Sequence, residues 1–186
     1  MQHFALNGQI RQAGNKATIK AFRAQGLVPC NFYGLGQENI LFTVNAKELK
    51  VLTNNPNSYI VDLTLDGKTY MAVLHELQWH PVTDECLHVD FLAVNETKPI
   101  AIDVPLAISG HSIGAQKGGK FYQNARKVRV SGVMAKLPDV ITIDITAIDL
   151  DKKIKACDIK EDGLTVLTDK DAIICGVKST RNSSAE

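Results

Sequence analysis

Gln78-Trp79-His80-Pro81-Val82-Thr83-Asp84-Glu85-Cys86-Leu87-His88-Val89-Asp90-Phe91-Leu92 concentrates much of the chemistry of this 186-residue chain. It carries two of the five histidines and the sole tryptophan. From Leu87 the residues alternate: Leu87, Val89 and Phe91 fall on one face of a strand, His88 and Asp90 on the other. The apolar face belongs against a core. The opposite face holds an imidazole and a carboxylate two residues apart, roughly 7 Å along the strand at about 3.3 Å per residue. Such a pair is either presented to a partner or satisfied internally, and the rest of the chain has to decide between the two.

The length suits one large domain or two small ones. With 45% hydrophobic residues there is enough apolar material for an ordinary globular core. A net charge of +1 gives no overall basicity that announces a nucleic acid. The distribution is less even: residues 1–37 hold Arg11, Lys16, Lys20 and Arg23 and no Asp or Glu, whereas 38–95 are net acidic. Cys30, Cys86, Cys157 and Cys175 are scattered, without a Cys-x-x-Cys pair. Reduced, partly buried thiols of a cytoplasmic protein are expected, rather than a disulfide framework or a zinc knuckle. No secretory leader and no membrane-spanning apolar run is read from the sequence, so no membrane partner is expected.

Read in order, Phe4, Leu6 and Ile10 suggest an opening strand over 2–10. Asn15 is placed to cap a short helix over Ala17–Gln25, which Gly26 ends. Lys16, Lys20 and Arg23 are spaced four and three apart, so they share one stripe, with Ile19 and Phe22 beside it on the core side. Three cations with no acid among them suit a phosphate backbone, although on composition alone a solvated helix face is the more ordinary reading of such a run. Leu27–Gly34 reads as a strand whose terminal Tyr33 is either a base-stacking platform or a core residue with a wet hydroxyl. Ile40–Val44 is a further strand, Asn45 and Glu48 form a capping box for a helix over Ala46–Thr53, and Ser58–Leu65, Asp66-Gly67, Lys68–Leu74 make a hairpin with a type I′ turn.

The character changes near Val94–Pro99, where Glu96-Thr97-Lys98-Pro99 is a polar connector. Strands follow at Ile100–Ser109, Val128–Val133, Val140–Thr146 and Ala172–Val177, with turns at Pro105, Gly110, Pro138 and Gly163. The expected organisation is a first domain over 1–95, a β-rich second domain over 96–178 and a disordered tail over 179–186. The fold class is mainly β with a few short helices, α+β in the broad sense.

Two constellations carry alternative functions. Gly114 to Lys120 fits the first seven places of a phosphate-binding loop, but Phe121 stands where Ser or Thr holds magnesium, and no helix start follows. A loop with glycines for backbone freedom explains it better, with a nucleotide-binding module as the alternative. His80, Asp84, Cys86, His88 and Asp90 crowd together as candidates for a metal site or a small hydrolase. Their spacing matches no zinc pattern. Cys86 and His88 share a face if the alternation extends back to Cys86, with no third group to complete a catalytic set.

Two blocks carry a resemblance: Phe22-Arg23 with Gly26, Val28-Pro29 and Tyr33-Gly34, and then Gln78, His80-Pro81 and His88-Val89-Asp90-Phe91. With them the chain resembles the Ctc family of bacterial large-subunit ribosomal proteins, also called ribosomal protein L twenty-five, in its long two-domain form. Pro99 to Pro105 and Lys117-Gly118-Gly119 are similar to the family's second domain. The resemblance implies an amino-terminal β-barrel that binds 5S rRNA, a β-rich carboxy-terminal domain, a place on the large ribosomal subunit in the cytoplasm with neighbouring ribosomal proteins as further contacts, and no enzymatic activity, cofactor or metal. The RNA-binding residues it implies are Arg11, Lys16, Lys20, Arg23, Tyr33, Gln78, His80, His88 and Asp90. The chain departs from the family at Leu27, where many members carry Lys or Arg, at Asn31, where the residue is usually apolar, and at Trp79, often Arg, where stacking can replace charge.

Overall fold

The alternating stretches of the first half close on themselves. In the computed structural model, which describes residues 2–55, 57–95, 97–159, 161 and 163–180, six strands form a barrel. They are β1 (Gln2–Ile10), β2 (Leu27–Gly34), β3 (Gln37–Asn45), β4 (Tyr59–Leu65), β5 (Lys68–Trp79) and β6 (Cys86–Ala93), in the order β1–β3–β2–β6–β5–β4. β1 runs parallel to β4 and β2 parallel to β6; the other neighbours are antiparallel. Closure leaves no open sheet edge to pair with another chain. Phe32, Phe42 and Phe91 are sealed inside, with Phe42 and Phe91 at 5.7 Å between ring centroids. β1 can close against this interior only because residue 8 is glycine: a Cβ there would lie 2.7 Å from both Leu65 Cδ2 and Phe42 Cδ2.

Two nine-residue helices attach to the barrel, α1 (Lys16–Ala24) and α2 (Ala46–Asn54). Asn45 caps α2 by accepting from the Lys47 N–H, and Leu49 and Leu52 join the barrel core. Asn15 caps α1 by accepting from the Thr18 N–H at 3.1 Å, but α1 buries no residue completely. A helix so short is marginal alone, so its position depends on what ties it down. The β4–β5 turn has φ of 46° at Asp66 and 80° at Gly67, the two left-handed residues a type I′ hairpin needs.

The chain divides into two compact units, Met1–Lys98 and Pro99–Glu186. The second holds β7 (Ile100–Ser109), α3 (Ile113–Gln116), β8 (Lys120–Gln123), β9 (Lys127–Gly132), β10 (Ile141–Asp144), β11 (Lys153–Lys155), β12 (Leu164–Val166) and β13 (Ile173–Lys178). Two sheets are formed, β10–β7–β9–β12 and β11–β13–β8. Mainly β structure with short helices is thus the fold class of both units. Ser179 follows β13 and donates its N–H and hydroxyl to Asp151, and Thr180 donates to the Gly118 carbonyl. The remainder of the expected tail, 181–186, lies outside the described residues.

Gly114–Lys120 is built as helix, turn, strand, the reverse of the strand–loop–helix that cradles phosphates. Lys117, the first lysine of that stretch, is paired with Asp149 at 3.1 Å. Gly118 has a left-handed φ of 88°, which is backbone freedom as expected. Gly114 and Gly119 answer to packing instead: a Cβ at Gly114 would sit 2.6 Å from the Asp149 carbonyl carbon, and one at Gly119 2.5 Å from Val177 Cγ1.

Candidate nucleic-acid interface

β5 and β6 pair from Ala72 opposite Ala93 to Trp79 opposite Cys86, but their register shifts twice. Leu74 faces Phe91 while Glu76 faces Asp90, so His75 is an extra residue on β5; Gln78 faces His88 while Trp79 faces Cys86, so Leu87 is extra on β6. Each is a bulge, which frees a residue from the ladder and re-aims its neighbours. At Leu87 the freed carbonyl accepts from Arg23 Nε at 3.1 Å and Nη2 at 2.7 Å. That double bond fastens the C-terminal end of α1 to β6. At His75 the ring stands edge-on to Tyr33, with centroids 6.3 Å apart.

The Leu87 bulge also overturns one expectation. Alternation does not extend back to Cys86, which packs against the barrel core instead of sharing the outer face with His88. Its thiol donates to the His88 carbonyl at 3.6 Å, and burial pushes the thiol pKa up, the opposite of an activated nucleophile.

A polar row crosses the outside of the barrel. The Arg11 N–H donates to the Leu41 carbonyl; Leu41 lies opposite Asn31, Asn31 opposite Asp90, and Asp90 opposite Glu76. Val89 and Phe91 point inward and are wholly buried, so His88 and Asp90 face outward as the alternation requires. His88 Nδ1 stands 3.2 Å from Asp90 Oδ1, with the side chains 20% and 21% exposed. The contact lacks hydrogen-bond alignment. Among the described residues, Asp90 Oδ1, Asn31 Oδ1 and Arg11 Nε are buried polar atoms without a hydrogen-bond partner. Burial pushes the His88 pKa below its ordinary value, with Arg11 and Arg23 adding to the effect and Asp90 opposing it. The imidazole is therefore neutral at neutral pH. Burial also raises the Tyr33 hydroxyl, helped by the nearby Asp90 and Glu76 carboxylates.

His80 has a different task from the other members of its stretch. Its N–H donates to the Glu85 carbonyl at 2.8 Å and its carbonyl accepts from the Asp84 N–H at 3.1 Å. Its Nδ1 accepts from the N–H groups of Val82 and Thr83 at 3.3 and 3.2 Å. This bonding puts the ring proton on Nε2 and makes His80 the organiser of the β5–β6 turn. The turn carries Trp79, 43% exposed, and Val82, 83% exposed.

Of the residues expected from sequence, Arg23, Tyr33, Gln78, His88 and Asp90 come together on the outer face of β2, β6 and β5 or on the helix end tied to it. Arg11 reaches the same row from the side of β3, and His80 holds the turn beyond it. Lys16 and Lys20 are exposed on α1, and nothing in the described residues ties them to the strands. Lys16 occupies the first helical position, and α1 has no acid in its first turn. A cation there adds to the positive end of the helix dipole, an arrangement that costs stability alone and favours an anion. Asn31, Glu76 and His75 join this face without any marking in the sequence that assigns them to it. The signal for His75 was absent, because a bulge is a property of two strands. Asn31 stood out in the sequence only as a polar residue where the family is usually apolar, and Glu76 not at all, until pairing set both beside Asp90.

Among the described residues no three His, Cys, Asp or Glu side chains converge as ligands for a metal ion. No helix among them is long and apolar enough to cross a membrane. What the face offers is hydrogen-bonding edges, an aromatic pair and flanking cations, a set suited to reading a polar, anionic surface.

Comparison with known proteins divides the chain in two. Residues 6–91 match the profile of the Ribosomal L25p family, and residues 99–181 match that of the ribosomal protein TL5 C-terminal domain. Over its whole length the chain is similar to proteins named large ribosomal subunit protein bL25. That of Porphyromonas gingivalis is 36% identical, the alignment covering 97% of this chain and 95% of that protein. That of Azobacteroides pseudotrichonymphae is 37% identical over 98% and 97% of the two chains, and that of Bacteroides fragilis 39% over 92% and 87%.

Proposed function

The chain belongs to the Ribosomal L25p family, and from that membership we propose that it is a structural protein of the large ribosomal subunit that binds 5S rRNA through the outer face of its barrel. The observation that carries the proposal is the convergence of Arg23, Tyr33, Gln78, His88 and Asp90 on one face, beside a helix whose cations have no acid between them. Lys16 and Lys20 neutralise phosphates at the N-terminal half of α1. Arg23 divides its donors: Nε and Nη2 fix the helix through Leu87, and the remaining donors turn to the RNA. Gln78 and His88 stand opposite each other and present hydrogen-bonding edges to groove hydroxyls and base edges. Tyr33 and Trp79 supply ring faces for stacking. Neighbouring ribosomal proteins complete its surroundings in the cytoplasm. The work is positioning and shape recognition, which needs no nucleophile and no cofactor.

Titration of 5S rRNA with the full chain over a range of salt tests this. Tight, saturable binding is expected, and Lys20→Ala should lower the slope of log K against log salt by about 0.7–0.9. Absence of saturable binding to 5S rRNA overturns the proposal.

A further inference from the structure

The three-stranded sheet of the second unit carries a surface that the barrel face leaves unexplained. Its register sets Lys153 opposite Gly176 and Gly176 opposite Tyr122, and two residues along sets Lys178 opposite Lys120. Residues two apart on a strand share a face, so Tyr122 and Lys120 lie on the same side as Gly176 and Lys178. The Tyr122 ring lies across Gly176: a Cβ on that glycine would be 2.9 Å from the tyrosine oxygen and 3.1 Å from Cζ. Lys178 Nζ sits over the same ring, 4.9 Å from its centroid. Lys120, Lys153 and Lys178 are exposed.

One contact in this arrangement works against the protein's own stability, although the Lys178 ammonium is attracted to the Tyr122 ring. Like charges directly opposite on an antiparallel pair repel, and Lys120 and Lys178 are such a pair. Three acids of this unit have other partners. Asp149 accepts from Lys117 and the Leu150 N–H, Asp151 from Ser179, and Asp171 from Lys155. A face that gathers lysines around a flattened aromatic ring, with glycine keeping the middle low, is complementary to a polyanion with stackable groups. We propose that the outer face of the β11–β13–β8 sheet is a second RNA-contacting surface, with Lys120, Lys153 and Lys178 on phosphates and Tyr122 against a base or sugar. RNA as the partner class rests on the ribosomal reading above; the surface itself lies on the other unit of the chain.

The test uses the full chain and large-subunit particles from cells lacking this protein. A variant with Lys120→Ala, Lys153→Ala and Lys178→Ala should bind free 5S rRNA like the parent. It should bind the particles on the order of ten- to a hundredfold more weakly at about 0.1 M salt, with a log–log salt slope shallower by about 2–3. The corresponding Lys→Arg variant should keep the parent's affinity. Ultraviolet crosslinking of the bound parent should leave a nucleotide on the peptide containing Tyr122. Unchanged affinity and slope for the alanine variant overturns the proposal, as does a Tyr122 crosslink to protein instead of RNA. Loss of free 5S rRNA binding by that variant overturns the claim of a separate surface. A parent chain that binds neither 5S rRNA nor particles refutes the ribosomal reading and this inference together; a parent that binds both, with an indifferent alanine variant, refutes this inference alone.

Discussion

Replacing Asp90 with Asn separates folding from recognition, because the two should respond in opposite directions. Asp90 faces Glu76 across β5 and β6, and its Oδ1 has no hydrogen-bond partner. Removing its charge relieves a cross-strand repulsion of about 0.2–1 kcal/mol, toward the lower end because Glu76 is exposed. Urea denaturation should therefore find the variant as stable as the parent or slightly more so. Asp90 also raises the His88 pKa against the effect of burial, so NMR titration should find that histidine's pKa lower still in the variant. Binding of 5S rRNA should weaken by about 1–3 kcal/mol, roughly five- to a hundredfold or more, since an RNA donor loses a charged acceptor in a partly buried site. Phosphate repulsion alone predicts the reverse, because the variant has one fewer negative charge. Tighter binding by Asp90→Asn, measured by filter retention at fixed salt, refutes the assignment of Asp90 to recognition.

His88 has a folded pKa below its unfolded value of about 6.5, so the unfolded chain takes up its proton first and stability should fall as pH drops from about 6.5 toward the folded value. His88→Gln should remove that part of the acid sensitivity in denaturation curves taken between pH 7 and 5; an unaltered pH profile contradicts it. Arg23→Ala deletes both bonds to the Leu87 carbonyl and should cost about 1 kcal/mol. The loss should appear as faster amide exchange in α1 with the barrel strands still protected; equal protection of α1 in both proteins counts against the tether. Gly119→Ala drives a Cβ to 2.5 Å from Val177 Cγ1 and should destabilise the second unit by about 1–3 kcal/mol, seen in its melting transition. No change there means the loop yields freely.

The parts of the fold legible in the sequence are those where one local rule acts alone. Asp66-Gly67 sets a type I′ turn because both residues tolerate left-handed φ, and Asn15 sets a helix start because its side chain reaches the third N–H. β7 was readable to its ends at Ile100 and Ser109 because its apolar residues bury one face over ten residues. β8, β11 and β12 were missed; four- and three-residue strands show too little period to separate from loop. The bulges at His75 and Leu87 were beyond reach for another reason. An extra residue is defined only against the strand it pairs with, and pairing is long-range. Hence the inward turn of Cys86, the grip of Arg23 on Leu87 and the meeting of His75 with Tyr33 all required the structure. The same holds for His80, whose sequence suggests an outward ligand but whose Nδ1 caps its own turn.

Whether one face of the barrel binds 5S rRNA is tested most directly by recovery of RNA from a cell lysate. Tagged full-length protein should bring down 5S rRNA as the dominant small RNA in high salt that strips ribosomal particles. The variant carrying Arg23→Ala, His88→Ala and Asp90→Asn should fold, by circular dichroism, yet recover little of it. Equal 5S rRNA recovery by parent and folded variant, or none by the parent, contradicts the account.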